Sequence, residues 1–327
     1  MGKKARITIA AVVLICAAGV ATACGSDDET ELTAMSFNVW GGGANEGKPI
    51  DQTVAAIEAA DADLIGVQET RLEGDVCTAD FCPAAGPSVA KEIADALGYE
   101  VYEQEATEAN RPLQWANAII SRYPIEGHTA NDSGVEIDVD GRSVYAFNIH
   151  LDDSPYQPYQ LLDIKYGKAP FLDTEEQAIA FARQTRGPAI ELLRQEMAEA
   201  DDADATFVFG DFNEPSGRDW TAEAVEAGNQ PIEVEWPTTK AIEDEGFVDA
   251  YREANPDPVA KPAFTWTPTS KPTVKWDHHD RIDFVFARAE DLTVEDSSIV
   301  GESEANAEIV VDPWPSDHRA VVATVKF

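Results

Sequence analysis

The chain has 327 residues, 44% of them hydrophobic and 26% charged, and its 61 Asp and Glu against 24 Lys and Arg give a formal net charge of −37. A surface this acidic repels polyanions, so long DNA or RNA is a poor match for it unless bound cations reverse the local field; general surface solvation accounts for the same acidity equally well. Four cysteines exclude a disulfide-dense scaffold, and the length is ample for one large apolar core.

Residues 1–23 open with Lys3, Lys4 and Arg6, continue in an apolar run short for a bilayer span and end in small residues, the pattern of an export signal. Ala21-Thr22-Ala23-Cys24 has the form of a bacterial lipoprotein processing site, with Ala21 where Leu or Val is usual. Two readings stay open. Cys24 is a lipid-modified new N-terminus that anchors the chain to the cell membrane, with residues 24–31 as a polar tether, or a bystander in a soluble secreted protein. No Gly/Ser or Pro linker and no repeat divides residues 32–327, which read as one catalytic-size domain. Within it Cys77 and Cys82 are expected to pair in an oxidising compartment, a bridge worth about 2 kcal/mol at most. A zinc site there would need further Cys or His nearby.

Strand-length apolar runs then recur, each touching a polar residue with metal or acid–base chemistry. Residues 32–38 end at Asn38, 62–69 at Glu69, 143–150 at His150, and 204–213 at Asp211 and Asn213; 281–286 contain Asp283, and 317–325 begin with Asp317 and His318. Helical patterns occupy 49–60, 86–98 and 174–199, the last expected to be kinked or divided at Pro188. A hairpin turning at Asp140-Gly141 makes neighbouring strands partly antiparallel. Mixed strands with helices between them predict an α/β fold of two packed sheets with outer helices, and strand ends gathered along one edge. Glu69, Asp211, Asp283 and Asp317 in one cleft would repel one another unless a divalent cation sat among them. Hard oxygen donors point to Mg²⁺, or Mn²⁺ in its place.

SFNVW, VQE, NAIISRYPI, FNIHL, GDFN, HDRIDFVF and SDHRAV, spread in this order from residue 36 to residue 321, resemble the motifs of the endonuclease/exonuclease/phosphatase superfamily. The resemblance implies a four-layer α/β/β/α sandwich and metal-dependent hydrolysis of a phosphate ester. It makes Asn38 and Glu69 metal ligands, with Asp317 a further contributor, and His318 the general base for the attacking water, oriented by Asp283. Asp211 would position the nucleophile or the second histidine, Asn213 would donate to a phosphate oxygen, and His150 would stand beside the phosphate. Asn117, Arg122 and Tyr156 are the expected substrate contacts.

The chain departs from the abasic-site endonucleases of that superfamily at Trp40, where they carry an Asp, and at His150, where they have no histidine. Gly41-Gly42-Gly43 is a candidate for backbone approach to a phosphate, or a flexible turn. Tyr156, Tyr159 and Tyr166 would wall the pocket or pack a Pro-rich loop. Residues 264–276 come nearest to a lipid-inserting segment, although Trp266 and Trp276 are expected to pack in the core or loops. Together these readings imply an exported, Mg²⁺-dependent phosphoesterase acting on a small or headgroup-sized ester. The alternatives are an extracellular nuclease scavenging nucleic acid and a non-catalytic binding lipoprotein.

Overall fold

The computed structural model describes residues 29–75 and 82–327; the expected export signal, Cys24 and Cys77 lie outside the described residues. Cys82 is disulfide-bonded. In chain order the strands are β1 (Glu31–Asn38), β2 (Leu64–Gln68), β3 (Leu72–Glu73), β4 (Ala84–Ala85), β5 (Glu100–Glu103), β6 (Ala118–Ser121), β7 (Ile125–His128), β8 (Gly134–Val139), β9 (Arg142–His150), β10 (Ala205–Asp211), β11 (Val248–Asp249), β12 (Asp283–Ala289), β13 (Thr293–Gly301), β14 (Ile309–Val310) and β15 (Ala320–Lys326). The helices are α1 (Asp51–Ala60), α2 (Ala90–Leu97), α3 (Gln157–Leu161), α4 (Glu175–Met197), α5 (Ala222–Glu226), α6 (Pro237–Asp244) and α7 (Ala250–Ala254).

One sheet runs β14-β13-β15-β1-β2-β6-β5 and the other β11-β12-β10-β9-β8-β7. Side chains of successive strand residues point to opposite faces, so each strand serves two cores. In β1, Leu32 and Ala34 face the second sheet, where they meet Val144, Phe207, Phe209 and Val285. Met35 and Phe37 point outward, onto Ile57 of α1 and Ile93 of α2. In β10, Phe207 and Phe209 face inward while Val208 points outward with Leu193 and Met197 of α4. The layers are therefore helix, sheet, sheet, helix, as the motifs imply. Burial of each Phe in this interior contributes about 1.5–3 kcal/mol. The sheets approach so closely that a Cβ on Gly66 would lie 2.6 Å from the Cβ of Phe209.

Pro188 does not divide α4, which runs unbroken from Glu175 to Met197. Pro188 is exposed, so water can take the carbonyl left without its usual donor. Gly187 before it has no Cβ to clash with the proline ring. Thr174 caps the helix by accepting from the Gln177 N–H at 3.3 Å.

The sheets are also joined through a buried polar residue. Asn148, fully buried in β9, donates to the carbonyls of Val67 and Ala118 at 2.9 Å each and to Gln104 Oε1 at 3.0 Å, and accepts from Gln68 Nε2 at 2.6 Å. It sits two residues before His150, directly beneath the edge where the strand ends collect. Its polar groups are satisfied by partners on the opposite sheet, which suits a buried amide.

Candidate active site

Strand parity and register assemble the site. Asn38 has the same parity as Leu32 and Ala34, His150 as Val144, Asp211 as Phe209, and Asp283 as Val285, so all four continue the inter-sheet face to its last residue. Asp211 pairs with His150 across the parallel ladder and with Asp283 across the antiparallel one, which brings the three to one level. Val39 N–H donates to the Gln68 carbonyl at 3.0 Å and Gly41 N–H to the Glu69 carbonyl at 2.7 Å, fixing Glu69 beside Asn38. Glu69 (φ 55°) and Asn213 (φ 46°) both hold left-handed backbone conformations, a local strain that persists where the surroundings overdetermine it.

At the centre, Asp211 Oδ2 lies 3.6 Å from Nε2 of both His150 and His318. His318 is oriented from behind, its Nδ1 2.9 Å from Asp283 Oδ2, so Nε2 is the nitrogen left for proton transfer. His150 Nε2 is 3.9 Å from Glu69 Oε1, and its Nδ1 has no hydrogen-bond partner. Asn38, a metal ligand by the resemblance, turns its amide nitrogen toward the carboxylates. Its Nδ2 donates to Glu69 Oε1 at 2.9 Å and Asp211 Oδ2 at 3.1 Å, while Oδ1 accepts from the Trp40 N–H at 3.2 Å. Asn213 N–H donates to Asp211 Oδ1 at 3.0 Å and its Nδ2 to the Leu151 carbonyl at 2.9 Å. Glu69, His150, Asp211, Asn213 and His318 line a cleft of about 450 Å³ together with Asp317.

Burial pushes Glu69 up to about 7 and Asp317 up to about 6, only partly offset by His150 and His318 respectively. Asp283 is likewise raised by burial. For His318 burial favours the neutral ring, but Asp283 and Asp211 outweigh it and hold the imidazolium well above its ordinary range. Glu69, His150 and Asp211 place one ligand atom each within 4.8 Å of the others. Glu69 Oε2 is buried without a hydrogen-bond partner. An orphaned carboxylate oxygen among hard donors fits a divalent cation.

A stability measurement checks this fit. Without a cation, Glu69 and Asp317 bind protons more tightly folded than unfolded, and His318 does the same. Their contribution therefore falls as pH rises from 3.8 and 4.5 through about 6 and about 7. A cation bound to the ionised carboxylates reverses this loss. The Tm difference between Mg²⁺ and chelator is expected to widen from pH 5 to pH 8 in thermal melts; a difference that is constant or shrinks would remove the cation from this cluster.

Not every expected residue comes to the cleft. Arg122 lies at the far edge, with Nη1 2.6 Å from Asp63 Oδ1, Nη2 2.7 Å from Asp61 Oδ1 and Nε donating to Tyr99 Oη at 2.6 Å. The reason is strand direction. β6 runs antiparallel to β2, so Ser121 pairs with Leu64, at the opposite end of β2 from Glu69. Asn117 stands at the correct end but is buried below the cleft floor, donating to the Asn148 carbonyl at 3.2 Å and accepting from the Trp115 N–H at 3.3 Å. The backbone of Gly41-Gly42-Gly43 is committed to a tight turn, and a Cβ on Gly42 would meet Ile50 Cδ1 at 2.5 Å.

Tyr156, Tyr159 and Tyr166 do line the cleft. Trp266 joins them, its ring centroid 5.0 Å from that of His318. Trp276 corrects the packing expectation, since it is 68% exposed beside Asp277, whose carboxylate anchors this loop. Sequence reasoning missed Arg111, the one Lys or Arg lining the cleft among the described residues. Asn110 fixes its turn by donating to the carbonyls of Glu105 and Asn131 at 2.9 and 2.7 Å. The one available signal was that no other Lys or Arg occurs between Lys91 and Arg122.

The chain is similar to an uncharacterized protein of Caenorhabditis elegans, 27% identical over 315 residues that cover 90% of this chain and 91% of that one. Among solved structures it superposes on the 3′ phosphatase NExo from Neisseria, bound to product DNA hairpin, with a TM-score of 0.52 at 16% identity, over 89% of this chain and 98% of that one. It also superposes on an endonuclease/exonuclease/phosphatase family protein from Leptotrichia buccalis with a TM-score of 0.51 at 15% identity, over 90% and 100% of the two chains. At such identities the superpositions speak for the fold alone. The sequence model of the Endonuclease/Exonuclease/phosphatase family, by contrast, matches residues 35–318, a span that holds every candidate site residue described above, and the chain belongs to that family.

Proposed function

We propose that the protein is an exported phosphoesterase, dependent on Mg²⁺ or Mn²⁺, that hydrolyses a small or headgroup-sized phosphate ester. The observation that carries this reading is the Asp283–His318 pair, 2.9 Å apart, with the free Nε2 facing the Glu69, His150 and Asp211 cluster. In the reaction His318, which acts in its neutral form once positive charge beside the carboxylates offsets the pull of Asp283 and Asp211, takes a proton from water through Nε2 as the water oxygen bonds to phosphorus, in line with the departing alcohol. The phosphorus–alcohol bond breaks and the alcohol leaves with a proton, for which His150 is placed as donor. Arg111 and the remaining amide hydrogen of Asn213 hold the phosphate oxygens. Glu69, with Asp211 and Asp317 beside it, would hold a divalent cation, which would supply electrophilic polarisation of the phosphoryl group.

Export rests on the pattern of residues 1–23, and the membrane anchor on Cys24. Preference for a small ester rests on the net charge of −37, which pushes away extended polyphosphates at low ionic strength. The test is competition between a short phosphodiester and duplex DNA from low to high salt, with Mg²⁺ present. The short ester is expected to win at low salt, with the gap narrowing as salt rises. Faster cleavage of DNA at low salt, slowing as salt rises, would replace this reading with a nucleic-acid-scavenging nuclease. Turnover of no ester would leave a binding lipoprotein.

A further inference from the structure

We propose, resting on the phosphoesterase reading, that the ester this cleft accepts carries a compact alkylammonium group beside the phosphate. The reacting groups take up one part of the cleft. The rest is walled by Trp115, Tyr156, Tyr159, Tyr166 and Trp266, and the polar end of every one of these rings is already committed.

Tyr156 Oη donates to Asp280 Oδ2 at 2.7 Å, Tyr159 Oη to Asp277 Oδ1 at 2.5 Å, and Tyr166 Oη to Asp153. Trp115 Nε1 donates to the Cys82 carbonyl at 2.5 Å and Trp266 Nε1 to Asp277 Oδ1 at 3.1 Å. The accepting carboxylates are themselves held from behind. Asp280 also accepts from Trp220 Nε1 at 2.9 Å, and Asp277 from the Ser270 hydroxyl at 2.6 Å. The wall therefore meets a ligand with ring surface and not with hydrogen-bond donors.

That excludes one class of occupant and favours another. A sugar or polyol ring placed against this wall would lose hydrogen bonds to water without replacement. A second phosphate would in addition face Glu73, Asp152 and Asp153, which line the same cleft, with Arg111 the one guanidinium or lysine ammonium there among the described residues. A weakly hydrated alkylammonium gains on both counts, since ring faces and carboxylates both attract it. A tyrosine hydroxyl that donates to a carboxylate leaves its ring richer in electrons, which strengthens that attraction. The cleft, about 450 Å³, is in the range of small-ligand pockets.

The experiment uses the full chain with Mg²⁺ and two chromogenic diesters that share a nitrophenolate leaving group. One is nitrophenyl phosphocholine; in the other a tert-butyl group replaces the trimethylammonium, which keeps the shape and removes the charge. The choline ester is expected to have a kcat/KM at least about tenfold higher. That ratio is expected to fall toward one in Glu73→Gln, which changes an exposed side chain, and in Tyr159→Leu. Equal or better turnover of the uncharged ester overturns the inference and leaves the phosphoesterase reading standing, as does hydrolysis of other esters but neither of these. Hydrolysis of no phosphate ester at all overturns both. A ratio unmoved by Glu73→Gln and Tyr159→Leu places the selectivity outside this wall and also overturns the assignment. Comparing glycerophosphocholine with phosphatidylcholine vesicles then separates a soluble source of the group from a membrane one.

Discussion

His318→Ala is expected to lower kcat for phosphoester hydrolysis by about 10²- to 10⁴-fold, the worth of a positioned acid–base group, and to leave the fold intact. The ring does little that the core needs. It stands at the mouth of β15, against Trp266 and the cleft, and the strand's own packing rests on Val321, Ala323 and Val325. Its chemical setting suits proton transfer, with Asp283 fixing Nδ1 at 2.9 Å and Nε2 left toward the cleft. Asp283→Asn is therefore expected to reproduce much of the loss, because an amide can hold the ring through its oxygen yet no longer compensates the imidazolium. Steady-state kinetics over pH, with circular dichroism on each variant, checks both. A His318→Ala protein with nearly wild-type kcat at neutral pH would make the pair a structural one. His150→Ala is expected to cost about 10²-fold or more, since this ring also reaches Asp211.

Removal of divalent cations with a chelator is expected to abolish turnover, and Mg²⁺ or Mn²⁺ to restore it. The argument is electrostatic. Glu69, Asp211 and Asp317 line one cleft with Asp283 behind His318, the buried Glu69 Oε2 has no hydrogen-bond partner among the described residues, and no lysine lines the cleft among them. Glu69→Gln keeps the shape and the hydrogen bond from Asn38 through its remaining oxygen but removes the charge. It is expected to raise the Mg²⁺ concentration needed for half-maximal rate at least about 100-fold, above the loss typical of changes that only support a ligand. Activity titrated against Mg²⁺ in both proteins decides the matter. Full turnover after exhaustive chelation would dismiss the cation, and an unchanged requirement in Glu69→Gln would move it elsewhere.

Much of this arrangement is legible in the chain because strand periodicity and the site share one register. Asn38, His150, Asp211 and Asp283 end or begin apolar runs, and the same alternation that sends Phe207 and Phe209 inward sends Asp211 inward after them. Where the reading failed, neighbours in sequence were separated by direction in space. Asn117 and Arg122 belong to one motif but flank β6, so they sit at opposite edges of the sheet. Arg111 belongs to no motif and reaches the cleft through a short turn set by Asn110, which periodicity does not encode. The roles of Tyr156, Tyr159 and Tyr166 depend on acceptors at Asp280, Asp277 and Asp153. Two of those are more than a hundred residues away, a distance over which no local pattern reports.

The amide of Asn148 gives the reacting centre a property that loops alone would lack. Glu69 comes from one sheet and His150, Asp211 and Asp283 from the other, so any sliding of one sheet over the other would pull Glu69 out of line with the other three. Oily contacts tolerate such sliding, because they have little directional preference. Four hydrogen bonds from a single side chain to both strands and neighbours of the opposing layer do not, and they act as a rivet against shear directly under the reacting groups. The aromatic wall, built on α3 and on loops outside the riveted zone, can be reshaped without moving the residues beneath it, so a change of substrate in this scaffold need not begin with a change of mechanism.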